Sequence, residues 1–136
     1  MAILTRRNLL QGGVLACVSA TTWRSAWAQN VVRVGPSHAI KSIAAAAAVA
    51  RDGDAIEVQA GDYLGDIAIW TRDNITVRAV GGRVRLVASG MAAEGKAIWV
   101  VRGGRMTVEG FDFSGSRVSD KNGAGIRLEK GALSVR

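Results

Sequence analysis

The sequence predicts an all-β protein, a parallel β-helix in which the chain winds through stacked coils of short strands. Three observations carry this expectation. In "RDGDAIEVQAGDYLGDI", residues 51–67, Ala55-Ile56-Glu57-Val58 alternates like a strand, glycines interrupt the pattern, and no hairpin dipeptide turns the chain back. Two segments then recur: "ITV" at 75–77 returns as "MTV" at 106–108 and "LSV" at 133–135, and "AIW" at 68–70 returns at 97–99 with "GIR" at 125–127. Steps of 27 to 31 residues, with corners at Asp73-Asn74, Gly103-Gly104 and Lys130-Gly131, suit one coil of two or more strands. Each short strand would pair with its own equivalent one coil away, at about 4.8 Å.

Superposing the coils assigns faces, the third observation. Ile75, Met106 and Leu133 point inward with Val77, Val108 and Val135, while Thr76, Thr107 and Ser134 point outward beside the alternating charges of Arg78, Glu109 and Arg136. On the other strand, Ile69, Ile98 and Ile126 are expected inside and Trp70, Trp99 and Arg127 outside, leaving an aliphatic interior.

In chain order, residues 1–28 read as an export signal. "TRRNLLQ" sets two arginines before a modest apolar stretch, Gly13 to Ala20, and "AWA" at 26–28 is a small-x-small cleavage site, so the mature chain starts at Gln29. The pattern resembles a twin-arginine signal, and Arg24 before the cleavage site suits that route. The apolar run falls well short of the roughly 20 residues that cross a bilayer, so no membrane anchor is expected in the mature chain. Residues 29–53 hold a strand at Val31–Val34, a break at Gly35-Pro36-Ser37 and a helix over 38–50, with Ser37 as N-cap and Gly53 as the stop. Residues 54–136 form the first three to four coils.

Composition narrows the function classes. The chain has 136 residues and a formal charge of +7, but Arg6, Arg7 and Arg24 lie in the signal with no acid, leaving 15 basic against 11 acidic side chains, or +4. No basic stripe appears, so no nucleic-acid partner is expected. Cys17 belongs to the signal, so the mature chain has neither disulfide nor thiolate metal site.

Gly53-Asp54-Ala55-Ile56-Glu57-Val58-Gln59-Ala60-Gly61-Asp62-Tyr63, following an Ala-rich helix, resembles the first coil of right-handed parallel β-helix proteins of the pectate-lyase-like superfamily. "NGAGIRLE", residues 122–129, resembles coil-opening segments of the same proteins, and the likeness spans residues 31 to 136. It implies a right-handed solenoid with an N-terminal capping helix. It also implies a protein that binds or cleaves an acidic polysaccharide; the signal at residues 1–28 places it in the periplasm or outside the cell. If enzymatic, such a protein is a polysaccharide lyase or glycoside hydrolase. Calcium is the one cofactor the resemblance implies; the residues themselves show none.

No position matches the family's catalytic motifs, so no catalytic residue is assigned. Asp112, Asp120 and Glu129 read as solvated turn acids, and the lone His38 falls at the helix start. The candidate substrate-binding residues are Trp70, Trp99 and Arg127, two indole faces and a guanidinium in one outward row. The chain stops in mid-strand at Ala132–Arg136, so it is expected to be an N-terminal fragment lacking the catalytic coils. Otherwise its uncapped last coil invites self-association. The alternative function is a non-catalytic structural, adhesive or scaffold β-helix.

Overall fold

The computed structural model describes residues 29–136; the export signal expected at 1–28 lies outside the described residues. The elements run β1 (Val31–Val34), α1 (Ile43–Val49), β2 (Ala55–Leu64), β3 (Ala68–Trp70), β4 (Ile75–Val87), β5 (Ala97–Val101), β6 (Arg105–Glu109), β7 (Phe111–Ser114), β8 (Ala124–Leu128) and β9 (Ala132–Val135). Every strand pair is parallel, and the chain forms a β-solenoid of about four turns.

Each full coil has three faces. β1, the first half of β2, the first half of β4, β6 and β9 make the first. The second halves of β2 and β4 pair with each other and with β7 to make the second. β3, β5 and β8 make the third. β2 and β4 therefore each cover two faces, bending where Ala60 and the Gly81-Gly82 pair sit between the ladders.

The first face has the expected register. Ile75 pairs with Met106 and Met106 with Leu133, steps of 31 and 27 residues. Thr76, Thr107 and Ser134 align beside them. Val77 and Val108 are fully buried, whereas Val135 in the last turn is 55% exposed.

The third face corrects the expectation. Matching the two "AIW" tripeptides implied steps of 29 and 28, but Ala68 pairs with Trp99 and Trp99 with Ile126, again 31 and 27. Four residues separate Trp70 from Ile75, Val101 from Met106 and Leu128 from Leu133, so this corner has constant length and locks the third face to the first. The tripeptide match would have required unequal corners. Because side chains alternate along a strand, the true register turns Ala68, Trp70, Trp99, Val101 and Ile126 inward. Ile69, placed inside by the sequence reading, is 37% exposed, whereas Ile98 is buried in the main core as expected.

The interior is accordingly part aromatic. Trp99 meets Trp70, Phe111 and Phe113 at ring-centroid distances of 5.3, 5.2 and 5.1 Å. Such tilted and edge contacts add about 0.5–1.5 kcal/mol per pair beyond area burial. Neither indole N–H meets an acceptor among the described residues, which costs about 1–3 kcal/mol each.

The helix is shorter than expected. Its N-cap is Ser42, whose hydroxyl accepts from Ala45 N at 3.1 Å, not Ser37. Gly35–His38 forms a turn, and Gly35 N donates to Ile40 O, which holds the chain out of the helix until Ser42. Asp66 of the first coil completes the cap by accepting from Ile43 N at 2.6 Å and Ala44 N at 2.9 Å. The helix ends at Val49 with Ala50 as C-cap, while Gly53, φ +87°, belongs to the next turn. Ile43, Ala46 and Ala47 bury into the main core, and α1 packs against β1 and β3.

Candidate functional site

The parallel register carries outward side chains into straight rows. On the first face, Arg33, Glu57, Arg78, Glu109 and Arg136 follow one another with alternating charge. Glu57 accepts from Arg78 at 2.6 Å and lies 3.4 Å from Arg33 Nε; Arg136 reaches Glu109 at 3.4 Å. The hydrogen bond from Arg78 holds the Glu57 carboxyl below the usual carboxylate range, against the opposing pull of desolvation. Beside this row run the hydroxyls of Thr76, Thr107 and Ser134.

A second charged row crosses the second face, where Asp62, Arg85 and Asp112 are in register. Arg83 grips the Asp112 carboxylate with Nε and Nη2, lowering the pKa of the acid and raising its own. At the third face, Glu94 and Lys96 from the 88–96 loop meet Arg102 and Glu129. Arg102 is shared between the two glutamates and Lys96 bridges them, so both acids are pushed down and both bases up. This network ties the loop to the coil behind it.

Three concavities break the surface on the N-terminal side. The largest, about 520 Å³, lies between the 36–44 segment and residues 60–66, with Lys41, Asp62 and Tyr63 on its wall. A mainly apolar groove of about 320 Å³ separates the helix alanines from Ile67, Ile69 and Ala93. A smaller one of about 180 Å³ is bounded by Arg33, His38, Glu57, Gln59 and Val80.

The structure separates the candidate binding residues. Trp70 and Trp99 are 1% and 0% exposed, packed ring to ring inside the solenoid, so the expected outward aromatic row is corrected. Arg127 is exposed, beside Val100 instead of Trp99 in the register. Asp112 is a strand residue paired with Arg83 and Glu129 belongs to the four-charge network, whereas Asp120 does lie in a turn, accepting from Asn122 N. His38 is half-buried before the helix, beside Arg33 and Gln59.

Among the described residues no three His, Asp or Glu side chains gather as a metal site, and the acids of the rows are taken by arginine or lysine. The calcium implied by the resemblance therefore does not fit these residues. Sequence reasoning missed Arg33 and Glu57 at the start of the first row, and all of the second row. Their signal was present: Glu57 precedes Arg78 by 21 residues, the step of the first coil.

No protein-family model, curated protein or solved structure matches the chain.

Proposed function

We propose that the protein is an exported, right-handed parallel β-helix of the pectate-lyase-like kind that binds an acidic polysaccharide along its outer face. The observation that carries this reading is the first-face row of three arginines and two glutamates, net positive, beside an aligned row of hydroxyls. A linear polyanion laid across such rows meets hydroxyl donors at every coil and cations at every second one, on a backbone too stiff to lose much entropy on binding. Arg127 adds an exposed cation on the third face. Right-handedness follows the strong general preference of parallel crossover connections. The cap reading rests on α1 burying Ile43, Ala46 and Ala47 beside Val34 and Ile56, where the helix would shield the first coil's open edge. Export rests on the pattern of residues 1–28.

A second reading, a non-catalytic scaffold, is favoured by one observation: the outward acids are already satisfied by neighbouring cations within the ladders. Retardation of the chain in gels containing polygalacturonate, alginate or a neutral glucan separates the two. Retention by the uronates, weakening with salt, supports polysaccharide binding; equal mobility in all gels leaves the scaffold. A calcium-dependent rise in ultraviolet absorbance on either uronate would add lyase activity.

A further inference from the structure

We propose that Asn122 is a self-modification site: its side-chain amide closes onto Gly123 N as a succinimide, and the isoaspartyl product disturbs the entry into β8.

The reaction needs three conditions at one peptide bond. The asparagine amide must be unheld, the next backbone N–H must be unheld, and the next residue must not crowd the attack. Asn122 is exposed and its side-chain amide makes no hydrogen bond among the described residues; only its backbone N–H is engaged, donating to Asp120 Oδ1 at 3.1 Å. Gly123 N has no acceptor among the described residues, because the ladder with β5 begins at Ala124. With no Cβ, Gly123 leaves the approach open.

Other positions show why exposure alone is not enough. Asn30 and Asn74 are exposed too, but each precedes a β-branched residue that opens a ladder strand, Val31 and Ile75. Asp52-Gly53 has the small neighbour, but Asp52 Oδ1 accepts from Asp73 N at 2.9 Å and Gly53 N donates to Asp73 O at 2.9 Å. Both of its reacting groups are held.

Packing imposes the reactive pair. A Cβ on Gly123 would come within 2.8 Å of the Ser116 carbonyl oxygen, and one on Gly125 within 2.7 Å of Phe113 Cβ. The chain is threaded between these neighbours as it enters β8, so glycine is required where it also makes Asn122 labile. In the reaction Gly123 N bonds to Asn122 Cγ, and the Gly123 proton leaves with the amide nitrogen as ammonia. Water then opens the ring. Attack at Cγ gives aspartate; attack at the main-chain carbonyl gives isoaspartate, whose backbone runs through the side chain and is one methylene longer. Both add a negative charge beside Asp120, but only isoaspartate lengthens the threaded segment.

The test is incubation of the full chain in mildly alkaline buffer made with oxygen-18 water, with and without urea, followed by peptide mass spectrometry. We expect residue 122 to take up label at least about tenfold faster than residues 30 and 74. Its native rate should lie within about threefold of its rate in urea, since the fold holds neither reacting group. Asn122→Gln, whose amide can close only a slower six-membered ring, should fold normally and stay unlabelled. Asn122→Asp carries the charge without the extra methylene, so hydrogen exchange at 124–128 should match wild type there and rise at least about threefold in the isoaspartyl form. Equal rates at the three asparagines, native protection of more than about tenfold relative to urea, or labelling of Asn122→Gln at the wild-type rate would overturn the site. Equal exchange in the aspartyl and isoaspartyl forms would overturn its effect on β8.

Discussion

The first and third faces of the solenoid are built by the same rule and packed differently. On the first face, aliphatic side chains repeat coil after coil, Ile56 with Val77 and Val108, so each layer nearly copies the last. On the third face the inward positions change from Ala68 to Trp99 to Ile126. There the core is filled by rings that reach across to Phe111 and Phe113 on the second face. What is conserved from coil to coil is therefore the backbone register, set by corner length. Side-chain identity can vary as long as the summed volume fills the interior.

The sharpest way to break this comparison is Trp99→Ala set against Ile69→Ala. Removing a fully buried indole at the centre of the aromatic cluster should cost about 3–5 kcal/mol in urea unfolding. Truncating the partly exposed Ile69 should cost less than about 1 kcal/mol. The reverse order would restore the register in which the isoleucines point inward.

Next in size is the corner. A Cβ on Gly104 would strike the Asp73 carboxylate, which accepts from Asn74 N and Arg105 N at 2.7 Å each and so fastens one coil to the next. Gly104→Ala should therefore destabilise by about 1–3 kcal/mol. Gly103, whose Cβ would meet the Arg72 backbone, should be as intolerant. Gly104→Ala unfolding at the wild-type midpoint would mean that the Asp73 carboxylate does not fasten the coils at this corner.

A smaller effect should follow pH through the same carboxylate. The backbone donor of Arg105, then that of Asn74, hold Asp73 below its ordinary value of 3.8. A folded-state value lower than the unfolded one contributes stability that is complete above the ordinary value and disappears as pH falls through the folded one. Asp73→Asn should thus be less stable than wild type at pH 7, with the two urea midpoints converging under acid. A constant gap down to the lowest pH would assign the loss to geometry instead of charge.

The smallest effect belongs to the end of the charged row. Arg136→Gln removes a pair 73% and 38% exposed and should shift stability by no more than about 0.5 kcal/mol. A larger loss would show that the row acts as a cooperative network.

The fold was legible where chemistry repeats. Ile75-Thr76-Val77 and its echoes carry inside, outside, inside in three coils, and their steps match the observed register. The second face was missed because its strands are fused to the first across glycine corners, in β2 and β4, and leave no separate signal. The third face failed on an accident of identity. Ala97-Ile98-Trp99 copies Ala68-Ile69-Trp70 two residues out of step, and Gly125-Ile126-Arg127 was matched to Ala97-Ile98-Trp99 one residue out of step, the slip that exchanges inside for outside. The steps of 31 and 27 already found on the first face, imposed on the third, would have placed both rings inside. The charged rows were half legible: Arg78, Glu109 and Arg136 stand out by alternation, whereas Arg83 and Asp112 lie on the second-face strands that leave no separate signal, and the Glu94–Lys96–Arg102–Glu129 network depends on a loop whose course no periodicity describes. The small pocket beside β1 was not legible, since it needs the Gly35–His38 turn to fold back onto Gln59.

The four-residue corner also makes the molecule divisible. Residues 105–131 span the interval from the start of β6 to the start of β9, with Arg105 stacked on Ala132. A copy of that segment spliced in after Gly131 would enter and leave at equivalent points of the winding. The rod could thus be lengthened by whole turns without a new junction, its hydroxyl row growing by one tooth per turn, while the copied Glu109 would stack on Glu109 and interrupt the alternation of charge.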